Sequence, residues 1–278
     1  MNSVPFSLRR TWLIALNTLR EAARQKLFAF LLLLALGLVL GARWFRDFNF
    51  GAPELKFLAD CGFGAMAFFG AALTIAATAQ LFFSEIENRP ALTLLAKPVW
   101  RTEFVVGKFL GVAALAAAFC GLLTVLLAAV LWWREGQLME EFSENFAQGR
   151  AVSYGLLALA GFMQWLKLAV LAAFALLVAS FAQTQLFTVV TGFFILVICH
   201  LQYLAQDAYA RSGSWLGQMV GGFIAGIFPN FQVFALADSL AAADAPPAAH
   251  VARVAIYALG YIVVACGLAV FSFRQREI

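Results

Sequence analysis

Residues 109–133 read FLGVAALAAAFCGLLTVLLAAVLWW, twenty-five positions without one ionisable side chain. As an α-helix this run rises about 37 Å, more than the ~30 Å thickness of a bilayer's hydrocarbon core. It offers no polar face to water, so its natural solvent is lipid. Five more apolar runs surround it: Leu27 to Ala42, Cys61 to Phe83, Gly155 to Phe181, Leu186 to Ala205 and Val254 to Phe273. A seventh stretch, residues 215–237, is cut by Pro229-Asn230 and contains Gly217, Gly221, Gly222 and Gly226. It reads as a re-entrant hairpin before the last span.

The whole chain agrees with that reading. Its 278 residues are 63% apolar and 12% charged, whereas soluble domains are about half apolar and about a quarter charged. The expected fold class is therefore an all-α polytopic membrane protein: six transmembrane helices forming a single transmembrane domain over residues 1–278. Cys61, Cys120, Cys199 and Cys266 are widely spaced and form no C-x-x-C pair, which excludes a local zinc or haem attachment site. The 26 residues before the first apolar run are too long a lead for an ordinary secretory signal, so the N-terminus is expected to be retained.

Charge sets the expected orientation. With six spans, Arg9, Arg10, Arg20, Arg24, Lys26, Arg89, Lys97, Arg101, Lys108, Arg274 and Arg276 share one side. The other side holds Arg43, Arg46, Lys56, Arg134, Arg150, Arg211 and Arg253. Basic residues accumulate on the cytoplasmic side, which places both termini there; a bacterial cytoplasmic (inner) membrane is the expected location. Lys167 is the one charge well inside a span. Two readings stay open for it: snorkelling to the outer interface beside Trp165, or lining a substrate path. His200 and Gln202 read as interfacial polarity.

Two segments stand out for mechanism. Over residues 6–26, Leu8, Trp12, Ala15, Leu16, Leu19 and Ala23 form an apolar stripe at helical spacing, with Arg10, Asn17, Arg20, Glu21 and Arg24 opposite. An amphipathic elbow helix lying on the membrane surface is expected. Residues 84–104 read SEIENRPALTLLAKPVWRTEF and lie on the cytoplasmic side between the second and third spans. Pro90 suits the first position of a helix and Pro98 stops it two turns later. The product is a short helix bearing Leu92, Leu94 and Leu95, flanked by Glu85, Glu87, Arg89, Lys97 and Arg101. Thr102 is placed to cap the next helix, with Glu103 in its first turn.

These features resemble the permease subunits of type-2 ATP-binding-cassette (ABC) exporters. The resemblance rests on Glu85 and Glu87 after the second span, Leu94-Leu95, Pro98 and Arg101, then Gly107-Lys108 entering the third span. Asn17 to Glu21 is similar to that family's amphipathic lead-in, and Phe228-Pro229-Asn230-Phe231 to its break before the last span. Where the family often has Gly-Thr after the acids, this chain has Arg89-Pro90.

The resemblance implies a subunit that dimerises, as a homodimer or heterodimer, and binds a separate ABC ATPase subunit through a coupling helix within residues 84–104. Trp12, Arg20, Glu21 and Arg24 would be the elbow's contact residues. The chain lacks G-x-x-x-x-G-K-[ST], so no cofactor is expected on it and ATP and Mg would sit on the partner; the chain itself would not be an enzyme. Gly37/Gly41, Gly107/Gly111, Gly217/Gly221 and Gly222/Gly226 would allow close helix approach at the seam. Thr74, Thr78, Lys167, Thr188 and Thr191 are candidates to line a path, and the lack of a charged route points to an amphipathic or lipid-like cargo. Two rivals remain, a non-transporting membrane anchor for a cytoplasmic protein and a secondary transporter, although every acid falls outside the central spans. No nucleic-acid partner is indicated.

Overall fold

The computed structural model describes residues 7–42, 44, 54–87, 100–142, 150–211, 215, 219, 222–223, 226–236 and 246–275. They form seven α-helices: α1 (Leu8–Ala23), α2 (Lys26–Gly41), α3 (Glu54–Glu87), α4 (Arg101–Glu141), α5 (Tyr154–Phe181), α6 (Gln185–Arg211) and α7 (Ala248–Gln275), with a 3₁₀ turn at Phe231–Phe234. α3 to α7 are each long and apolar enough to cross a bilayer; α1 and α2, bent by 64° at their junction, make a sixth candidate when taken together as one span. The protein is an all-α polytopic membrane protein. α2 alone, at 16 residues, rises only about 24 Å, and a 3₁₀ turn continues it at Ala42 and Trp44.

α5 is the centre of the bundle. It packs against α3, α4, α6 and α7, and its buried residues run almost all round, from Leu157 to Ser180. A helix apolar on every face belongs in the middle of a bundle. α7 shows the opposite pattern. Only Val254, Ala258, Ala265, Ala269 and Phe273 are buried, one narrow stripe, while Ile256, Val263, Val264, Leu268 and Phe271 face outward.

The helices alternate between two ends, called here the elbow end, where α1 lies, and the far end. At the far end Arg134 on α4 makes a bidentate pair with Glu54 on α3, at 2.7 and 3.0 Å. The next residue, Glu135, is fully buried. Its carboxylate accepts from the amides of Ala151 (2.7 Å) and Val152 (3.0 Å) and from the Tyr154 hydroxyl (2.8 Å), anchoring the start of α5.

The segment before α7 turns back inside the bundle. The Tyr261 hydroxyl donates to the Gly226 carbonyl, and Tyr261 lies 13 residues along α7 from Ala248, about 20 Å from the far end. The amide of Asn230 donates to Tyr257, one turn nearer the far end. Between residues 226 and 236 the chain therefore climbs from mid-depth back towards the end at which α7 begins. The Pro229 break carries the turn: Gly226 and Ile227 are helical, residues 228–230 are not, and the 3₁₀ turn follows.

The elbow forms where its sequence places it, but a different face does the packing. Thr11, Ala15, Thr18 and Ala22 are buried, whereas Leu8 and Trp12 are among the most exposed apolar residues of the chain. Among helices in lipid, association depends on close approach rather than on hydrophobicity, so small side chains meet small side chains. The groove they fill is on α4. A Cβ added at Gly107 would lie 2.7 Å from Ile14, and one at Gly111 2.5 Å from Thr18. The Gly107/Gly111 pair thus receives the elbow of its own chain. Gly37 and Gly41 have nothing within 4 Å of a would-be Cβ, as does Gly226; Gly217 and Gly221 lie outside the described residues.

Candidate partner-docking platform

The entrance of α4 organises the elbow end. Trp100, in extended conformation, is its N-cap. Glu103 at the third helical position turns back and accepts from the Trp100 amide at 3.3 Å. The same carboxylate accepts from the Ser7 amide at 2.7 Å and from Arg10 Nε and Nη2 at 2.9 and 2.7 Å. Glu103 is fully buried although its Arg10 partner is part-exposed. A carboxylate facing the fork of a guanidinium makes the strong, directional form of hydrogen bond. That bonding pushes Arg10 above its ordinary, already high pKa. One side chain therefore joins the first residues of α4 to the first turn of α1. Thr102 does not cap α4 as its sequence suggests; it lies one residue inside the helix, and its hydroxyl accepts from Arg274 Nη2 at 3.2 Å.

Arg101 attaches the same entrance to the end of the last helix. Its Nη1 donates to the carbonyls of Phe273 and Arg274, both at 2.8 Å. Carbonyls in the final turn of a helix have no partner within that helix and are natural acceptors for a cation. The guanidinium also sits over the Phe273 ring at 5.8 Å. Beneath it Phe82 on α3, Phe104 on α4 and Phe273 on α7 form a three-ring cluster, with centroids 5.4 to 6.0 Å apart. The Lys108 ammonium lies 5.8 Å from the Phe104 ring, its side chain buried. The Ser84 hydroxyl bonds Glu21 across 3.4 Å, joining the elbow to the end of α3.

The last turn of α3 and the N-cap of α4, which bracket residues 88–99 in the sequence, thus belong to one platform. Of the sequence-derived coupling residues, Arg101 lies in the platform. Glu85 and Glu87 belong to the last turn of α3 by backbone, with side chains outside the described set. Arg89, Leu92, Leu94, Leu95, Lys97 and Pro98 lie outside the described residues. On the elbow, Trp12, Arg20 and Arg24 are exposed and available, and Glu21 is half-buried against Ser84. The sequence reading missed the Arg10–Glu103 pair. Glu103, three positions after the N-cap, was legible as a capping acid, but its second partner is 93 residues away and leaves no local signal.

Residues 12–278, from the elbow to the C-terminus, match the family model described as ABC-2 family transporter protein. The chain belongs to the ABC-2 transporter family. It is accordingly a multi-pass membrane permease of an ABC transporter, a family role that implies partnership with an ABC ATPase subunit. No curated protein gives a match.

The path candidates of this ABC-2 permease fall in two places. Thr74 and Thr78 share a face of α3, where the Thr78 hydroxyl donates to the Thr74 carbonyl at 2.7 Å. Both are buried, as is Thr188 on α6, whose hydroxyl bonds the Thr184 carbonyl; Thr191 is half-buried. α3 and α6 meet closely at this level, where a Cβ on Gly192 would lie 2.7 Å from Ile75. These threonines flank a helix–helix contact.

Lys167 is on α5, 13 residues from one end and 14 from the other, about 20 Å from each. It is 8% exposed, and its ammonium lies 6.0 Å from the Phe231 ring, which also meets His200 edge-on at 5.4 Å. The ammonium therefore lies within the bundle at the middle of α5 rather than at either of its ends. Trp165 likewise sits within the bundle, its Nε1 donating to the Ala113 carbonyl at 2.9 Å. Among the described residues no carboxylate is paired with Lys167.

Proposed function

We propose that this permease is the gate of an exporter in the bacterial inner membrane, with the elbow end and both termini in the cytoplasm. Two copies, or one copy and a relative, form the membrane unit, and a pair of separate ATPase subunits drives it. ATP and Mg bind to those subunits. Their closure pushes the leucine-bearing segment at residues 84–104, with Glu85, Glu87, Arg89, Leu92, Leu94, Leu95, Lys97 and Pro98 as the contact residues. The elbow, through Trp12, Arg20, Glu21 and Arg24, takes the same thrust. The basic excess of the elbow end, eleven Lys and Arg against seven at the far end by sequence, supports the orientation.

The observation that carries the mechanism is that both flanks of the coupling segment belong to one platform. A displacement at residues 88–99 acts directly on Arg101 and Glu103, and these reach α7 through the carbonyls of Phe273 and Arg274 and α1 through Arg10. Four helices therefore move on one push. Lys167, Thr74, Thr78, Thr188 and Thr191 are the polar groups along which cargo would pass. The test is co-purification: Glu85→Lys with Glu87→Lys is expected to weaken capture of the ATPase subunit at least about tenfold, about 1.4 kcal/mol, while insertion and yield are unchanged. Undiminished capture would defeat the docking assignment.

A further inference from the structure

We propose that the groove between α7 and the re-entrant segment is a binding site for an anionic amphiphile, its head at Arg253 and its chain along α7. Two cavities meet here. The one nearer the far end, about 330 Å³, is lined by Asn230, Val233, His250, Arg253, Val254 and Tyr257. The deeper one, about 570 Å³, runs past Tyr257, Gly260, Tyr261, Val264 and Leu268 with Gly226 opposite. Tyr257 lines both, so the two lie in sequence along α7 and are taken in this proposal as head and chain stations of one site.

The chemistry changes along the helix in a definite order. At the far end Arg253 uses Nε to bond the Ala249 carbonyl at 3.2 Å. Its two terminal nitrogens have no partner among the described residues, and a guanidinium presented this way suits a phosphate or carboxylate. His250 and Tyr257 offer further polar groups at the same level. The Tyr257 oxygen accepts the Asn230 amide, and its hydroxyl also pairs with that of Tyr261. One turn deeper polarity ends, apart from the Tyr261 hydroxyl, which is already committed to the Gly226 carbonyl.

Dimensions favour a single lipid chain. Ile256 to Leu268 covers twelve residues of α7, about 18 Å, close to the ~15 Å depth of one leaflet's hydrocarbon. The deeper cavity lies within the usual size of sites for small molecules, ~300–1,000 Å³. Its outer wall is open, with Ile256 69% exposed, so a chain can enter sideways from the leaflet. The glycines make the room: a Cβ at Gly260 or Gly226 would meet nothing within 4 Å.

The test uses the purified full-length permease without nucleotide or ATPase subunit, so its outcome is independent of the coupling mechanism. Protein reconstituted in equimolar phosphatidylglycerol and phosphatidylcholine is re-extracted, and retained lipid is counted by native mass spectrometry. The wild type is expected to retain phosphatidylglycerol about tenfold over phosphatidylcholine, corresponding to about 1.4 kcal/mol. Arg253→Gln should bring that ratio near one, and Arg253→Lys should restore part of it. Gly260→Leu, which fills the chain station without touching the head, should lower retention of both lipids. Three results would each overturn the proposal: equal retention by the wild type, an Arg253→Gln ratio unchanged from wild type, or a Gly260→Leu variant that holds lipid undiminished. A melting scan of each variant identifies misfolded protein, and Gly226→Leu supplies a second way to block the chain.

Discussion

Replacing Gly111 by alanine isolates the contact that holds the elbow. The new methyl would lie 2.5 Å from Thr18 Cβ, 2.6 Å from its Cγ2 and 2.8 Å from the Ala15 carbonyl oxygen. Ordinary contact is about 3.5–4.0 Å, so α1 and α4 must separate by about 1 Å. Rotation of Thr18 gives no relief, because Cβ itself and a backbone oxygen are in the overlap. Overpacking of this kind costs about 1–3 kcal/mol, and a backbone obstacle argues for the upper half. Alanine regains about 0.5–1 kcal/mol over glycine inside a helix. The net loss is about 1–2 kcal/mol, or a melting midpoint lower by about 2–4 °C. Unfolding can be followed through labelling of the buried Cys120 and Cys199 thiols. Gly121→Ala on the same helix is the control: nothing lies within 4 Å of its Cβ, so the propensity gain acts alone and the midpoint should rise slightly. Thr18→Gly should relieve part of the Gly111→Ala loss. A Gly111→Ala protein that melts at or above the Gly121→Ala protein would refute the packing argument.

Two further perturbations test the polar groups. Lys167→Met keeps the bulk and removes a buried charge that has no acidic partner among the described residues, so the melting midpoint should rise, by at least about 1 kcal/mol of stability; a fall would show that an anion holds the ammonium. Glu135→Gln removes the charge that holds the Ala151 and Val152 amides and should cost about 1–3 kcal/mol. Faster hydrogen exchange at those two amides is the readout, and unchanged exchange would refute the anchoring role.

The spans were legible in the sequence because a bilayer demands about twenty apolar residues in a row, and few other folds do. The first helix was legible too: its stripe begins at Leu8 and ends at Ala23, as does α1. Which side of it packs was not. In water the greasy face of a helix turns inward, but against lipid Leu8 and Trp12 have no reason to hide, and Thr11 and Thr18 take the contact because they are small. Burial was harder still. The run Gly155 to Phe181 already puts Lys167 near its middle, but the sequence does not show that this face of α5 is covered by its neighbours, leaving the residue 8% exposed. The Arg10–Glu103 and Arg101–Phe273 ties join residues 93 and 172 apart, separations at which periodicity carries no information. Among the path-lining threonines, Thr78 and Thr188 return their hydroxyls to the carbonyl of the preceding turn, whereas the buried Thr74 hydroxyl has no partner among the described residues, a distinction that helical spacing does not carry.

The 41 residues of α4 make a rod about 61 Å long, roughly twice the hydrocarbon it crosses. One tip carries Glu103 and the other Glu135, so the fastening at the elbow and the fastening under α5 belong to the same stiff beam. A beam of that length magnifies: about a pivot roughly 10 Å in from Trp100, a shift of about 1 Å at that tip sweeps the other tip sideways by about 5 Å. A nudge far smaller than a helix diameter, delivered beside Trp100, would then be felt on the opposite surface as a displacement wide enough to part neighbouring side chains.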